Sequence, residues 1–143
     1  MLVSHILREK GRDVLAISPD ATLFEASRVL TLNRIGALLV RDSEGGLSGI
    51  VSERDIVRAI AEVGASALAL TVGERMTKDV ATCEENDTIA EIMETMTRCR
   101  FRHMPVIQEG RLAGIVSIGD VVKIRIAETM REAQALKDYI AAG

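Results

Sequence analysis

The sequence predicts an α/β (α+β) fold built from two copies of one β-α-β-β-α unit, and three observations support this. The stretch GIVSERD at residues 49–55 returns as GIVSIGD at residues 114–120, with five of seven positions identical. A helix-start pattern, Thr-x-x-Glu, also occurs twice, at residues 22–25 and 88–91. Hydrophobic residues make up 48% of the 143 residues, enough for an aliphatic core although only 2% are aromatic. Each unit of about 60 residues would be only marginally stable alone, so the two are expected to pack together.

The elements of the first unit follow from hydrophobic periodicity and turn residues. Apolar positions 2, 3, 6 and 7 predict a short amphipathic helix over residues 2–10. Residues 14–17 predict a first strand, and the Thr-x-x-Glu box then starts a helix. The predicted second and third strands are residues 37–40 and 47–51, joined by a DSEGG turn. The apolar face of the closing helix is predicted to be Ile56, Val57, Ile60 and Ala61.

The second unit repeats these elements 66 residues later, as in Val14 and Val80 or Val40 and Val106, but the GIVS motif lies only 65 residues later. One residue is therefore missing between Val106 and Leu112, where QEGR replaces the longer turn. A turn tolerates such a loss, whereas a strand would exchange its two faces. Residues 104–107 and 112–116 are the predicted strands. The closing helix should bury Val121, Val122, Ile124 and Ile126 and continue to about residue 141.

Domain boundaries follow from the repeat. We predict a first domain at residues 8–66, a second at 73–130 and a helical extension at 131–143. The linker 64–76 has no low-complexity character, and its end at 72–76 is predicted to open the second domain with a short helical turn.

The repeated motif places a serine and an aspartate three residues apart where a buried strand runs into a helix. Backbone N–H groups at a helix start have no partners within the helix, and the helix dipole is positive there. An anionic group such as a phosphate would be stabilised beside Ser52 or Ser117. Ser-x-x-Asp is also close to a capping box, in which both side chains only complete the helix start. The recurrence of Gly, two β-branched residues, Ser and Asp in both halves favours the ligand interpretation.

This doubled pattern of Gly, apolar, x, Ser, x, x, Asp resembles the nucleotide-contact motif of the CBS (cystathionine-β-synthase) domain. CBS domains occur in pairs called Bateman modules, and the resemblance covers nearly the whole chain. It implies two repeats packed as one pseudo-twofold module that binds adenosine-containing ligands between them. AMP is the first candidate ligand, and ADP, ATP, NAD(H) and S-adenosyl ligands are the next candidates. Asp55 and Asp120 would bind ribose hydroxyls, and Ser52 and Ser117 would reach the phosphate. No metal is implied.

The resemblance also implies which residues surround each motif. In the second repeat a basic side chain, Arg102 or His103, is expected at the phosphate, just before the strand residues Met104 and Pro105, which are also expected at the site. Gly119, next to Asp120, should allow close approach of the backbone to the ligand. The first repeat has Gly36 and Ala37 in place of the basic residues, and there Arg54, by its position next to Asp55, is expected to compensate by binding two phosphate oxygens. The segment that precedes the first strand of each repeat is expected to lie over the Ser-x-x-Asp motif of the other repeat. Lys10, Asp13 and Leu15 should lie near Ser117 and Asp120, and Thr77, Lys78, Asp79 and Val80 near Ser52 and Asp55.

Catalytic chemistry is poorly supported by these residues. Ser117, His103 and Asp120 have the residue types of a catalytic triad, but an aspartate on the serine's own helix turn would cap the helix instead of orienting histidine. Cys99 and His103 have a metal-ligand spacing without further ligands in a matching pattern. Neither a GxxxxGK[ST] nor a GxGxxG loop occurs. We therefore predict that the chain is not an enzyme.

Partners and location are predicted from charge and from the resemblance. Eighteen basic and 21 acidic residues give a net charge of −3, which argues against a general nucleic-acid or anionic-membrane binder. No apolar run approaches the ~20 residues needed to cross a bilayer, and the start MLVSHILREK lacks a signal pattern. We expect a cytoplasmic protein with reduced cysteines. The resemblance implies a homodimer forming a four-repeat disc and an unidentified effector protein. The alternatives are a structural dimerisation module that binds no ligand, and a nucleic-acid-binding protein that uses the basic run at 98–103.

Overall fold

The computed structural model describes all 143 residues, which form two compact units. One unit is Asp13–Val80, and the other combines Met1–Arg12 with Ala81–Gly143. The helices are α1 (Val3–Lys10), α2 (Leu23–Asn33), α3 (Glu53–Val63), α4 (Val72–Arg75), α5 (Ile89–Cys99) and α6 (Ile118–Ala142), with a 3₁₀ helix at Gly64–Ala69. The strands are β1 (Ala16–Ile17), β2 (Ala37–Arg41), β3 (Leu47–Ser52), β4 (His103–Gln108) and β5 (Arg111–Ser117). The predicted mixed α/β fold of two repeats is confirmed.

The unit Asp13–Val80 contains a three-stranded sheet in the order β1-β2-β3. β1 is parallel to β2, with Ile17 opposite Val40, and β2 is antiparallel to β3. The sheet, α2 and α3 enclose an aliphatic core, which the 3₁₀ helix and α4 complete. The buried residues of this core are Leu23, Ala26, Leu30, Leu38, Val40, Val51, Ile56, Ala59, Ala67 and Val72.

The other unit retains two strands of that sheet, β4 and β5, as an antiparallel pair. The expected first strand of this repeat is reduced to a single parallel bridge between Cys83 and Val106, although Cys83 keeps both backbone hydrogen bonds of a strand residue, to Pro105 and from Ile107. Its core is lined by α1, α5 and α6. The buried residues are Val3, Ile6, Leu7, Cys83, Ile89, Ile92, Met96, Met104, Val106, Val116, Val121 and Ile124.

The hairpins confirm where the one-residue difference between the repeats lies. Val40 is opposite Gly49 and Val106 is opposite Gly114, so the strand pairing is the same on the motif side of both turns. The longer turn is held by the Asp42 carboxylate, which accepts the N–H groups of Glu44 and Gly46 at 2.9 and 2.8 Å. The shorter turn uses left-handed backbone at Glu109 and Gly110 (φ 54° and 75°), as a two-residue hairpin turn requires.

Two short helices complete the units, and one of them differs from expectation. The α1 segment joins the unit of the second repeat, where Val3 N–H donates to Asp87 C=O at 3.0 Å. The α4 turn, expected to open the second domain, instead packs in the unit of the first repeat, where Val72 N–H donates to Ala21 C=O at 2.7 Å. The α4 turn therefore completes the core of the first repeat, although it immediately precedes the second repeat in sequence.

The closing helices bury fewer apolar residues than the sequence pattern indicates. On α3 only Ile56 and Ala59 reach the core, whereas Val57 and Ile60 are 64% and 41% exposed, and Ala61 is also exposed. On α6 Val121 and Ile124 are buried, but the predicted core residues Val122 and Ile126 are exposed. Beyond Ile124 no α6 residue is buried. None of the helices combines the length and apolar character needed to span a bilayer.

Candidate functional site

Each unit contains one strand-to-helix corner at which the repeated serine and aspartate meet a third polar side chain. We call Ser52, Asp55 and Thr77 the Asp55 corner. The Asp120 corner consists of Ser117, Asp120 and Lys10. In both corners the serine ends a strand and is the N-cap of the following helix, with extended backbone that aims its hydroxyl at the third residue of that helix.

The capping interactions predicted from Ser-x-x-Asp are present in both corners. The Asp55 N–H donates to Ser52 Oγ at 3.4 Å, and Asp55 Oδ2 accepts the Ser52 N–H at 2.8 Å. The corresponding distances for Asp120 and Ser117 are 3.2 and 2.9 Å. Capping therefore accounts for one carboxylate oxygen of each aspartate. The other oxygen, Oδ1, takes no part in the cap; Asp55 Oδ1 accepts the Thr77 hydroxyl, and Asp120 Oδ1 accepts no hydrogen bond from the protein.

Asp55 is the only charged residue in the buried class, at 8% exposure, and its hydrogen-bond donors are all neutral. Besides the Ser52 N–H, Oδ2 accepts the Ser52 hydroxyl at 3.1 Å, and Oδ1 accepts the Thr77 hydroxyl at 3.3 Å. No cationic side chain forms an ion pair with this carboxylate. Arg54, the cation expected to compensate, is exposed on the next position of α3 and forms no ion pair.

Asp120 has a cationic partner instead. Lys10 Nζ lies 2.7 Å from Asp120 Oδ2 and also donates to the Ile115 carbonyl at 3.1 Å. Burial by itself raises the pKa of Asp120, but the hydrogen bonds from Lys10 and Ser117 and the charge of Lys10 outweigh it, so that the pKa lies below its ordinary value. Asp120 is therefore a carboxylate at neutral pH.

Lys10 and Thr77 occupy equivalent places in the two corners. Ile50 and Ile115 are matching motif residues, and the Ile50 carbonyl accepts the Thr77 N–H at 2.8 Å where the Ile115 carbonyl accepts Lys10 Nζ. Each segment also contacts the motif glycine: a Cβ on Gly49 would lie 2.4 Å from Thr77 O, and one on Gly114 would lie 2.7 Å from Leu7 Cδ2. The same position is thus neutral in one corner and cationic in the other.

The helix starts retain little of the donor capacity expected for an anion site. The Glu53 N–H donates to Gly36 C=O at 3.0 Å, and the Ile118 N–H donates to Arg102 C=O at 2.8 Å. Since Asp55 and Asp120 N–H are used by the serine caps, one N–H of the first turn remains without a protein acceptor in each corner. These are the N–H groups of Arg54 in α3 and of Gly119 in α6. A Cβ at Gly119 would meet only Ser117 Oγ at 3.6 Å, an ordinary contact.

The remaining predicted site residues occupy exposed, half-buried and buried positions. Arg102 is exposed, and His103 lies opposite Ser117 in the β4–β5 pair. Met104 and Pro105 are buried, Met104 within the core, so only their backbone is available to a ligand. Asp13 and Leu15, expected near the Asp120 corner, belong to the unit Asp13–Val80. In that unit Lys78 and Asp79 are exposed and Val80 is half-buried; no hydrogen bond joins them to Asp55.

A small cavity adjoins the Asp120 corner, and it includes residues that sequence reasoning missed. Its volume is about 100 Å³, below the ~300 Å³ of a typical small-molecule pocket, so it suits one group of a ligand. Its lining is Ile6, Glu9, Lys10, Asp120, Lys123 and Ile124. Lys123 follows Asp120 by three residues on α6, a spacing that places the two side chains on one face. That spacing was the available sequence signal.

A larger cavity of about 430 Å³ lies beside β1, lined by residues 16–20 and 41–43. It contains none of the predicted ligand residues. Two of its polar side chains stabilise the hairpin turn: Arg41 Nε donates to the Gly45 carbonyl at 3.0 Å, and the Asp42 carboxylate accepts backbone N–H groups. No group of three His, Cys, Asp or Glu side chains could hold a metal ion.

Comparison with known proteins agrees with the repeat and its motifs. The sequence profile of the CBS domain matches residues 3–62 and 72–127. The mitochondrial CBS domain-containing protein CBSX3 of Arabidopsis thaliana is 34% identical over 149 residues, covering 99% of this chain and 72% of that protein. The crystal structure of the CBS-domain containing protein ATU1752 from Agrobacterium tumefaciens superposes with a TM-score of 0.85 at 49% identity, covering 87% of this chain and 92% of that one. The chain therefore belongs to the CBS domain family, with two repeats.

A further solved structure contains ligands. The CBS domain pair of protein MJ0100, in complex with 5′-methylthioadenosine and S-adenosyl-L-methionine, matches with a TM-score of 0.79 at 26% identity. The match covers 90% of this chain and 98% of that one. That pair of CBS domains therefore holds two different adenosine compounds.

Proposed function

We propose that this chain is a regulatory module that binds adenosine-containing ligands at the Asp55 and Asp120 corners. The observation that carries the proposal is that in both corners the helix cap uses only Oδ2 of the aspartate and leaves Oδ1 outside the cap. Such an oxygen can accept hydrogen bonds from ribose hydroxyls. The complex of the MJ0100 pair with two adenosine compounds supports the class of ligand.

AMP is our first candidate ligand, and ADP, ATP, NAD(H) and S-adenosyl compounds follow. The phosphate of a phosphorylated ligand would contact Ser52 or Ser117, according to the corner that binds it, helped by the N–H group of Arg54 or Gly119 at the helix start. Arg102 and His103 would add donors at the second motif. A ligand regulates only if it binds one state of the protein better than another. We propose that an effector protein responds to the ligand-dependent state.

Isothermal titration calorimetry with AMP tests the proposal. We expect saturable heat and a rise in melting temperature for the intact chain. A variant with Asp55→Asn and Asp120→Asn keeps both helix caps nearly isosteric but removes both carboxylates, so it should lose most of the heat. Mass spectrometry of small molecules that co-purify with the protein would identify the natural ligand. Absence of binding by AMP, NAD(H) and S-adenosylmethionine would overturn the proposal.

A structural dimerisation module is the second candidate, and two observations favour it. Both Ser-Asp pairs already act as complete helix caps. Apolar side chains are also exposed on α3 (Val57, Ile60 and Val63) and on α6 (Val122, Ile126 and Met130). Exposed apolar faces of this kind mark interaction surfaces. We propose a homodimer for the ligand-binding module as well, because the same apolar faces of α3 and α6 are exposed whether or not the corners bind a ligand.

Analytical ultracentrifugation tests the homodimer. Wild-type protein should sediment as a dimer, and Ile60→Glu should shift it toward monomer because the introduced charge would be desolvated in the interface. Arg58→Glu, a charge change elsewhere on the same helix, is the matched control and should sediment as wild type. A monomer at all concentrations would refute the dimer without affecting the ligand proposal.

A further inference from the structure

The two corners differ in charge at one equivalent place. In the Asp55 corner the motif carbonyl and the aspartate are contacted by Thr77, through its N–H at 2.8 Å and its hydroxyl at 3.3 Å. In the Asp120 corner the same two groups are contacted by Lys10 Nζ, at 3.1 and 2.7 Å. One carboxylate thus has neutral partners alone, and the other has its charge balanced by an ammonium group.

Lys10 retains the capacity to bind an anionic group. An ammonium group has three N–H donors, and the Ile115 carbonyl and Asp120 carboxylate use two of them. The third can serve a phosphate oxygen without breaking either contact. Lys123 lines the same small cavity and adds a second positive charge, against Glu9 and Asp120. A phosphate group there would meet a cavity without net charge.

The Asp55 corner would treat the same group differently. A phosphate placed beside Asp55 meets a largely buried carboxylate whose charge no ion pair balances. Like charges at short range in a partly desolvated site repel strongly. A ligand with an uncharged 5′ substituent avoids this repulsion and still offers two ribose hydroxyls to the carboxylate.

We propose that Lys10 makes the Asp120 corner selective for 5′-phosphorylated adenosine, whereas the Asp55 corner, with Thr77 in that place, favours adenosine compounds with an uncharged 5′ group. This inference rests on the proposed function, because it assigns a ligand class to each of the proposed corners. The chain would then bind two chemically different adenosine ligands at once.

The test compares AMP with adenosine in variants that keep one corner. Asp55→Asn leaves the Asp120 corner intact, and Asp120→Asn leaves the Asp55 corner intact; calorimetry on each gives the ratio of the two dissociation constants. In Asp55→Asn protein AMP should bind about ten- to a hundredfold more tightly than adenosine, the range expected for hydrogen bonds to a charged group. In Asp120→Asn protein AMP should bind no more tightly than adenosine. Added salt should reduce the preference for AMP.

Replacing Lys10 isolates its contribution. In the Asp55→Asn background Lys10→Met keeps the length of the side chain and removes the ammonium group, so the preference for AMP should fall to about that of the Asp55 corner. Lys137→Met is the matched control: this exposed lysine near the end of α6 forms no ion pair and belongs to neither corner, so its loss should not change any ratio. If an Asn variant does not fold by circular dichroism, the same ratio is measured with Lys10→Met in the otherwise unchanged chain.

The outcomes separate the two proposals. If neither AMP nor adenosine binds the intact chain or any variant, the inference about Lys10 fails, and the proposed function fails with it only when NAD(H) and S-adenosylmethionine do not bind either. If both bind, but the AMP preference is equal at the two corners or survives Lys10→Met, the assignment to Lys10 is wrong and the proposed function stands. A preference that is large at the Asp120 corner, absent at the Asp55 corner and lost with Lys10 supports the inference.

Discussion

The glycine that begins each repeated motif is required by a neighbouring segment that crosses it. At Gly49 that segment is backbone, the Thr77 carbonyl, whereas at Gly114 it is the end of the Leu7 side chain. Neither glycine has left-handed backbone, so the requirement is steric. Backbone in a strand bridge cannot move aside easily, but a leucine side chain can adjust.

This difference predicts unequal costs for the same substitution. Gly49→Ala should lower the free energy of unfolding by about 3 kcal/mol, at the upper end for overpacking, and Gly114→Ala by about 1 kcal/mol. Urea denaturation of the two variants and of wild type measures both values. A larger loss for Gly114→Ala than for Gly49→Ala would contradict the packing described for the two motifs.

The two cysteines should differ in reactivity. Cys83 is buried, and this burial, with the charge of Asp87, raises the pKa of its thiol to about 12; Cys99 is exposed. Because the thiolate is the reactive form, a chromogenic disulfide reagent at pH 8 should label one thiol quickly, and Cys99→Ser should abolish that phase. Cys83 should react only at the rate at which its unit opens. Fast labelling of both thiols in native protein would show that Cys83 is accessible.

Asp120 should contribute to stability in a defined pH range. Its pKa is lower in the folded protein than in the unfolded chain, because Lys10 and Ser117 donate to it, so its contribution is present above the unfolded pKa of ~3.9 and is lost as pH falls through the folded value. Thermal unfolding from pH 6 to pH 2 should therefore show a smaller acid-induced decrease for Asp120→Asn than for wild type. Glu9 and Lys123 face the same cavity, so Glu9→Gln is the control for general charge effects. Parallel curves for wild type and Asp120→Asn would exclude this contribution.

At the scale of elements, helix starts could be predicted and helix faces could not. The Thr-x-x-Glu pattern names donor and acceptor within four residues, and both boxes are present, with Glu25 N–H to Thr22 Oγ1 and Glu91 N–H to Thr88 Oγ1 each at 3.1 Å. Which side of a helix is buried depends on the element that packs against it, and the helix sequence does not show that element. Periodicity marks Val57 as apolar, but it cannot distinguish a core from a surface for another partner.

The short first strand of the second repeat was also beyond local patterns. Val14 to Ile17 and their counterparts have similar apolar character, yet one forms β1 and the other a single bridge at Cys83. Strand length depends on pairing with β2 or β4, which is a tertiary property. The contact of Lys10 with Asp120 was predicted only through family resemblance, because nothing local connects residues 110 positions apart.

The end of α6 provides a prediction at this scale. Residues 131–143 are all exposed and therefore add little to the core. A chain ending at Met130 should lose less than about 0.5 kcal/mol of unfolding free energy, as is usual for surface changes. If the exposed face of α6 contributes to the proposed dimer, the same truncation should weaken the dimer in sedimentation equilibrium. A loss of several kcal/mol without change of dimerisation would show that these residues pack within the chain.

At the scale of the whole molecule, one compact unit is discontinuous in sequence. Residues 1–12 belong with residues 81–143, and α1 supplies three buried side chains, Val3, Ile6 and Leu7, to that core. The repeat in the sequence gives two similar halves, but it does not reveal that the beginning of the chain completes the second half. The Asp120 corner depends on this arrangement, because Lys10 is the last residue of α1.

This arrangement predicts which unit will be destabilised by a cavity introduced in α1. Leu7→Ala should destabilise the protein by about 2 to 5 kcal/mol, and because Leu7 packs in the unit of the second repeat, hydrogen exchange should accelerate in residues 81–130 more than in 13–80. Leu23→Ala removes an equally buried leucine from the other unit and is the matched control, for which the pattern should reverse. Exchange is measured by mass spectrometry of peptides under native conditions, where local opening of separate cooperative units is visible. Equal acceleration in both regions for both variants would mean that the two units open as one. Opening of either unit would then also break the contact between Lys10 and Asp120.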